Sequence, residues 1–374
     1  MSSIETYRDQ PPRAIGAEGE APREVDTLIV GAGQAGLSTA YWLQRYGQSA
    51  LVVDVHPRVG DQWRERYASL RLNTPAKYDA QPGLPFPAPA NSYPTGRELG
   101  DYLERYVETM GIEVRPSTTV TRIERQPDDL YLVTCRDTSF LAHQVVVATG
   151  GEQHPKTPEF AAELDPGIRQ LHSRDYRGPE QLLPGPVLVV GASQSGADLA
   201  LEAATAGHDT WLSGPVKGEI PVPLGSRRSR VALPVLWFVA NHVLTMSTPI
   251  GRRAQPAIRQ GGTPLVRVRR EDLERAGVRH LEARTVGVEN GLPRLADGQV
   301  LEVSTVLWCT GFRQDFSLVH PSVTGSDGWP VDDGGIVPSS PGLYYAGLLY
   351  QRDFYCMLIG GAARDSKRTA AHIA

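Results

Sequence analysis

Cysteine is scarce: the 374-residue chain has three, Cys135, Cys309 and Cys356. They lie far apart, are odd in number and never stand at CxxC spacing. That excludes a disulfide framework, a thiolate zinc site and a dithiol redox centre, and no other metal site is read from the sequence. A reducing compartment, the cytoplasm, is the simplest fit. An excess of either charge is also missing. The formal net charge is -4, so no basic field recruits nucleic acid. Small arginine clusters at Arg227, Arg228 and Arg230, and at Arg267, Arg269 and Arg270, read as solvated surface. Long apolar runs are lacking too. The most hydrophobic stretch, Val231 to Met246 (VALPVLWFVANHVLTM), is too short to span a bilayer and contains Pro234, Asn241 and His242. It reads as a buried or channel-lining helix opening a helical hairpin over 231–262, with no stable membrane insertion. Residues 1–23 have no apolar core and read as a loose tail rather than a signal peptide. Hydrolase patterns such as G-x-S-x-G are absent.

What is present is 40% hydrophobic and 21% charged, the balance of a globular protein with room for two domains. "VDTLIVGAGQAGLSTAYWLQRYGQSALVVD" (Val25 to Asp54) reads as strand, glycine turn, helix, stop at Gly47, strand. "PVLVVGASQSGADLALEAATAGHDTWLSG" (Pro186 to Gly214) repeats that grammar with its stop at Gly207. Each unit fits a right-handed βαβ crossover in a parallel sheet. Six prolines between Pro75 and Pro94 predict an extended loop, followed by a helix capped at Thr95 and closed at Gly111.

A dinucleotide turn needs one glycine for the bend, one for approach of a pyrophosphate and one for helix–strand packing. The helix N-terminus then faces the phosphates. Gly31, Gly33 and Gly36 meet these needs, with Gln34 and Ala35 between them. Asp54 closes the next strand, where it is placed to accept from ribose hydroxyls. In the second turn Gly191 and Gly196 hold the outer positions and Ser193 the middle one, with Gln194 and Ser195 following. No acid ends the next strand at Ser213. That absence, with Lys217 and the first arginine cluster nearby, leans towards NADP(H) over NAD(H). A structural repeat without ligand is the other reading of this second turn.

With these turns, "VGDQW" (Val59 to Trp63), "YASLRLNTPAKY" (Tyr67 to Tyr78), the ATG at Ala148 to Gly150, "LHSRDY" and "CTGF" (Cys309 to Phe312), the chain resembles class B flavoprotein monooxygenases. It is most similar to flavin-containing monooxygenases and their short indole-pyruvate-type relatives. The signature F-x-G-x-x-x-H-x-x-x-Y is matched at its end by His172 and Tyr176 and more loosely by Phe160 and Gly167. His172 reads as a structural or interdomain residue rather than a proton-transfer group. The resemblance implies an α/β fold of two Rossmann-like dinucleotide-binding domains. An FAD domain (24–155 and 300–374) would be interrupted by an inserted NAD(P)H domain (156–299).

The resemblance further implies that NADPH reduces FAD and that a C4a-hydroperoxyflavin oxygenates a nitrogen- or sulfur-containing small molecule, or decarboxylates a keto acid. Gln62, Trp63, Thr149, Gly150, Gly311 and Gln351 join the two turns as cofactor contacts, and Gln351 or Arg352 faces the substrate. Asn73 falls where relatives place an asparagine beside the flavin, as a catalytic residue; a loop asparagine capping a turn is the alternative. Tyr344, Tyr345, Tyr350, Tyr355 and Trp237 read either as a pocket lining or as core. The expected partners are the small-molecule substrate and O2, with a homodimer compatible with the sequence. A flavoprotein NAD(P)H oxidase or dehydrogenase without oxygenation, or a flavin-binding redox module, are the competing functions.

Overall fold

The protein is described from a computed structural model covering residues 21–224, 226, 228–261 and 263–374. Most of the expected tail, Arg227 and Gly262 lie outside the described residues. Strand β1 (Arg23–Val30) enters helix α1 (Gln34–Arg45), which leads to β2 (Ala50–Val53) and the one-turn helix α2 (Asp61–Arg64). Helix α3 (Gly96–Met110) then precedes β3 (Val114–Arg115), β4 (Val120–Arg125), β5 (Tyr131–Cys135) and β6 (Ser139–Val147). After β7 (His154–Pro155) and β8 (Arg169–His172) the second glycine turn joins β9 (Val187–Val190) to α4 (Gln194–Thr205) and β10 (Thr210–Ser213). Helices α5 (Ser229–His242), α6 (Pro249–Arg259) and α7 (Arg270–Arg275) precede β11 (Arg279–Leu281). A hairpin, β12 (Thr285–Glu289) and β13 (Leu292–Leu295), leads to β14 (Thr305–Trp308), β15 (Phe312–Arg313) and β16 (Val319–His320). Strand β17 (Leu343–Tyr345) and helix α8 (Ile359–Ile373) finish the chain.

The two glycine turns sit in equivalent parallel sheets. The first runs β3-β2-β1-β6-β17 and is extended on the β6 side by the antiparallel strands β5 and β4. The second runs β11-β10-β9-β14-β8, every pair parallel. The central strands are continuously apolar because both faces are covered; Val187 to Val190 are all buried, as are Leu28 to Val30. Helices α1, α3 and α8 pack one face of the first sheet around Leu37, Leu103, Tyr106 and Ile359. In the second, Ala197, Leu199 and Ala200 of α4 meet Val187, Val189 and Leu307.

Two expectations are corrected. The chain does not return to the first unit at residue 300: β14 pairs with β9 and β8 and completes the second sheet. The crossings lie at β7 and β15, which pair with each other. Nor is the hydrophobic stretch a buried helix. Pro234 interrupts no turn of α5, yet Val235 and Phe238 are each 60% exposed, while Leu233 and Ala240 on the opposite side are buried. No helix among the described residues is long and apolar enough to cross a membrane.

The proline-rich loop is extended apart from one 3-10 turn at Ala76–Tyr78. Helix α3 holds it through two phenols: Tyr102 accepts from the Gln81 N–H at 2.6 Å and donates to the Leu84 carbonyl, and Tyr106 donates to the Pro82 carbonyl. Thr95 and Glu98 form a reciprocal capping box at the start of α3, and Gly111 closes it in the left-handed region.

Candidate functional site

Both glycine turns are built on the same steric logic. Gly31 and Gly191 have φ of 112° and 107°, and a Cβ on either would strike a carbonyl oxygen at 2.5 Å, that of Ala148 or of Cys309. These carbonyls open the ATG and CTG motifs, so each motif is the wall against which its turn is bent. Gly36 and Gly196 pack directly on the Gly31 and Gly191 carbonyls, leaving no room for a side chain. Gly33 is different. Its backbone is extended, and a Cβ there would meet only Gln62 Nε2 at an ordinary 3.5 Å. The chain's own packing does not demand glycine at 33, and the space beside it is open.

The helix ends point the same way. Neither α1 nor α4 has a side-chain N-cap or an acidic residue in its first turn, in contrast to α3. N–H groups without a side-chain cap and a dipole without an acidic partner, at the start of a twelve-residue helix, suit an anion. Ser193, a residue well suited to capping, does not cap α4. Its hydroxyl donates to the Thr263 carbonyl at 3.2 Å, and Gln194 Nε2 donates to Thr263 Oγ1 at 2.9 Å. The segment carrying Thr263 therefore lies over the second turn, a contact without any local sequence signal.

Asp54 ends β2 as expected, but its carboxylate faces the turn itself. Oδ2 accepts from the Ala32 N–H at 2.6 Å, and Oδ1 accepts from both the His56 N–H and His56 Nδ1 at 2.8 Å. Burial opposes its charge, yet the His56 and Ala32 hydrogen bonds hold its pKa below the ordinary value. The same hydrogen bond raises the pKa of His56 against its own burial. The D-x-H spacing was a legible signal for this pair.

Between the units, the segment from Tyr67 to Asn73 lies along α4. Tyr67 donates to Asp198 Oδ2 at 3.0 Å, and Arg267 pairs with the other carboxylate oxygen at 2.6 Å. Asn73 Nδ2 donates to Gln194 Oε1. A residue of the first unit's loop is thus bonded to the residue that opens the second unit's helix. The segments after the two motifs are also joined: Gln153 Nε2 donates to Thr149 Oγ1 at 2.8 Å and to the Gly150 carbonyl, while its Oε1 accepts from Asp315. Gly150 and Gly311 both adopt positive φ, at 71° and 82°.

His172 is buried, with Nε2 donating to the Gly311 carbonyl at 3.1 Å and Nδ1 accepting from the Arg174 N–H. Both ring nitrogens are committed to backbone, and burial lowers its pKa, so it is a neutral brace between β8 and the CTGF segment. Trp63 Nε1 is buried and has no hydrogen-bond partner among the described residues. Behind it in the loop, Asp79 is fully buried; Thr74 donates to Oδ1, and Oδ2 has no partner among the described residues. Burial raises its pKa to about 7. Tyr78, Trp237 and Tyr355 form an aromatic cluster with centroids 5.1 and 5.4 Å apart, joining the loop, α5 and the segment before α8.

Other expected contacts fall elsewhere. Ser213 is buried and shares a 2.8 Å hydrogen bond with Thr285, so its hydroxyl faces the core rather than a ribose. Gln351 turns inward, its amide donating to Asp332 and to the Tyr345 carbonyl, and braces its segment instead of facing a substrate. Arg352 is drawn to Asp365 at 3.5 Å. Lys217 Nζ donates to the Gly261 carbonyl at 2.6 Å. The second arginine cluster is not free surface: Arg267 binds Asp198, and Arg269 and Arg270 bind Glu219. Tyr344, Tyr345 and Tyr350 are core residues. Asp353, Cys356 and Asp365 come together, but Arg364 sits 2.6 Å from Asp353 and 2.9 Å from Asp365, so the cluster's charge is already compensated.

Residues 28–217 match the family described as pyridine nucleotide-disulphide oxidoreductase. The chain is 32% identical to an "uncharacterized oxidoreductase CzcO-like" of Geobacillus kaustophilus, over 92% of this chain and 96% of the relative. It is 26% identical to a probable indole-3-pyruvate monooxygenase of Arabidopsis thaliana, over 93% and 86% of the two chains. Its fold matches that of a flavin-containing monooxygenase from Stenotrophomonas maltophilia at a TM-score of 0.70, with 24% identity and coverage of 94% and 98%. The chain therefore belongs to the pyridine nucleotide-disulphide oxidoreductase family and is an oxidoreductase, similar to class B flavin-containing monooxygenases.

Proposed function

We propose that the protein is an FAD-dependent monooxygenase. It uses NADPH and O2 to oxygenate a nitrogen or sulfur atom of a small molecule, or to decarboxylate a keto acid oxidatively. For oxygenation, NADPH, a proton, O2 and substrate give NADP+, water and oxygenated substrate. The observation that carries this reading is the Asn73–Gln194 hydrogen bond, which brings the first unit's loop to the mouth of the second turn.

The residues present fit the cofactors. Gly31, Gly33, Gln34, Ala35 and Gly36 would receive the FAD pyrophosphate in the space left at Gly33, with Asp54 fixing the turn's backbone. Gln62, the unpartnered Trp63 Nε1, Asn73, Thr149 and Gly150 would border it. Gly191, Ser193, Gln194, Ser195 and Gly196 would take NADPH once the Thr263 contacts open, and Gly311 holds the wall of that turn through His172. Bound FAD supplies the electron relay and the activation of O2.

The chain's own residues orient and seal. Asn73 positions the junction between the two turns, and the neutral His172 braces it without supplying a proton. The Tyr78–Trp237–Tyr355 cluster excludes water so that reducing equivalents do not leak as peroxide. All three cysteines are free and buried, and burial pushes the Cys135 and Cys356 thiols up to about 11. This supports a reducing compartment such as the cytoplasm and leaves no dithiol for a disulfide reductase.

The test is coupling in the purified, FAD-loaded protein. NADPH and O2 consumption, peroxide and oxygenated product are measured across amines, sulfides and keto acids. Product formed in proportion to NADPH supports the reading. Peroxide alone with every compound makes the protein an NADPH oxidase. Colourless protein that takes up no FAD removes every flavoenzyme version.

A further inference from the structure

Between Glu219 and Glu271 the sequence has no acidic residue and nine arginines, in a chain whose net charge is -4. Part of this positive charge is used internally: Arg267, Arg269 and Arg270 bind carboxylates, and Arg259 stacks over Trp329 at 4.3 Å beside Asp327. Arg228, Arg252 and Arg253 are exposed and have no carboxylate within ion-pair distance among the described residues. Arg228 stands at the start of α5, and Arg252 and Arg253 in the opening turns of α6. At that end the helix dipole disfavours cations and favours anions.

Helix α5 is apolar on two sides. Its inner side packs through Leu233 and Ala240, with Trp237 against Tyr78 and Tyr355. Its outer side carries Pro234, Val235, Phe238 and His242, all exposed, at spacings that place them on one face. Phe238 stacks on His242 at 4.4 Å rather than folding inward. Ile250, 60% exposed, adds an apolar side chain two residues before Arg252. A helix that is apolar all round needs a partner on each side.

We infer that helices α5 and α6 present a peripheral docking surface for an anionic lipid bilayer, with Val235, Phe238 and Ile250 entering the interface and Arg228, Arg252 and Arg253 contacting lipid phosphates. Apolar tips rimmed by arginine, on helices too short and too interrupted to span, fit interfacial binding rather than insertion. A second copy of the chain fits less well, because a two-fold contact through this face would set arginine rim against arginine rim. Docking of this kind turns the α5 face that bears Trp237 toward the protein and the opposite face toward lipid.

Flotation of the FAD-loaded protein with phosphatidylcholine vesicles, with and without phosphatidylglycerol, tests this at low and high salt. The expected result is partition onto the anionic vesicles alone, weakened about 10-fold or more by high salt and by Arg252→Glu with Arg253→Glu. Phe238→Ser is expected to weaken it similarly. Circular dichroism and FAD content establish that the variants are folded, and NADPH turnover in free solution should be unchanged in each. Absence of partition overturns the inference, as does equal partition onto neutral vesicles. A Phe238-dependent dimer by light scattering, without vesicle binding, overturns it in favour of self-association. Because the readout is partition, the inference stands or falls separately from the monooxygenase reading.

Discussion

Gly33 and Gly36 differ by three positions and carry opposite predictions. A methyl group at Gly36 lands on the Gly31 carbonyl, so Gly36→Ala should fail to fold. Gly33→Ala fits the extended backbone and the space beside Gln62, so the apo-protein's stability should change by no more than about 1 kcal/mol. FAD affinity should nevertheless fall about 10-fold or more, because the methyl occupies the approach to the turn. Thermal melts of apo-protein and FAD titrations check both; Gly33→Ala binding FAD as tightly as the parent would show the turn holds something else. Asp79 carries a pH prediction. Burial raises its pKa from 3.8 to about 7, against a hydrogen bond from Thr74, with Tyr102 and Tyr355 also within electrostatic reach. A raised carboxyl contributes stability that is complete below the unfolded-state pKa and is lost as pH rises towards 7. Asp79→Asn should therefore flatten the decline in stability between about pH 4 and pH 7. Denaturant melts across that range decide it, and parallel curves for the two proteins would refute the assignment. The three turn glycines were legible in the sequence, whereas the burial of Asp79 was not, since an acid in a proline-rich loop ordinarily reads as exposed.

Helices α1, α3 and α4 have the same kind of apolar face but different ends. Thr95 and Glu98 satisfy the first N–H groups of α3 internally, while α1 and α4 have no side-chain cap. Filling the α4 end from within should therefore block the ligand and spare the fold. Ser193→Phe is expected to raise the KM for NADPH about 10-fold or more while FAD stays bound at full occupancy. Steady-state kinetics and the flavin spectrum measure the two effects, and joint loss of FAD would mean the two turns are assigned the wrong way round. These three helices were readable from period, cap and stop residues, because those signals act within a few residues. Helix α5 was recognisable as an element, but its surroundings were not. A run of apolar residues says that a helix forms and leaves open whether both its sides find partners.

Joining the two units depends on a few buried polar contacts. Asp198 is held by Tyr67 from the first unit and Arg267 from its own, and burial raises its pKa against the pull of Arg267. Arg267→Leu leaves that carboxylate nearly unpaired and should cost about 3 kcal/mol. The loss should be larger at pH 8 than at pH 5, since protonation relieves it, and Arg267→Leu with Asp198→Asn should recover most of it. Urea unfolding at the two pH values tests this; a pH-independent loss would place the effect in packing alone. The sequence by itself determined two βαβ units, their glycine turns and the helix between Thr95 and Gly111, because β-branched apolar runs, helical period and turn sterics are local. Only the tertiary structure decided that β14 belongs to the second sheet, that Ser213 and Gln351 face inward and that Asp54 grips its own turn. It also placed Asn73 against Gln194 and left one side of α5 bare. Those outcomes depend on which of several chemically equivalent partners lies within hydrogen-bond or packing distance, and the packing of the whole chain makes that choice, with the partner 22 positions away at Asp54, 72 at Ser213 and 121 at Asn73.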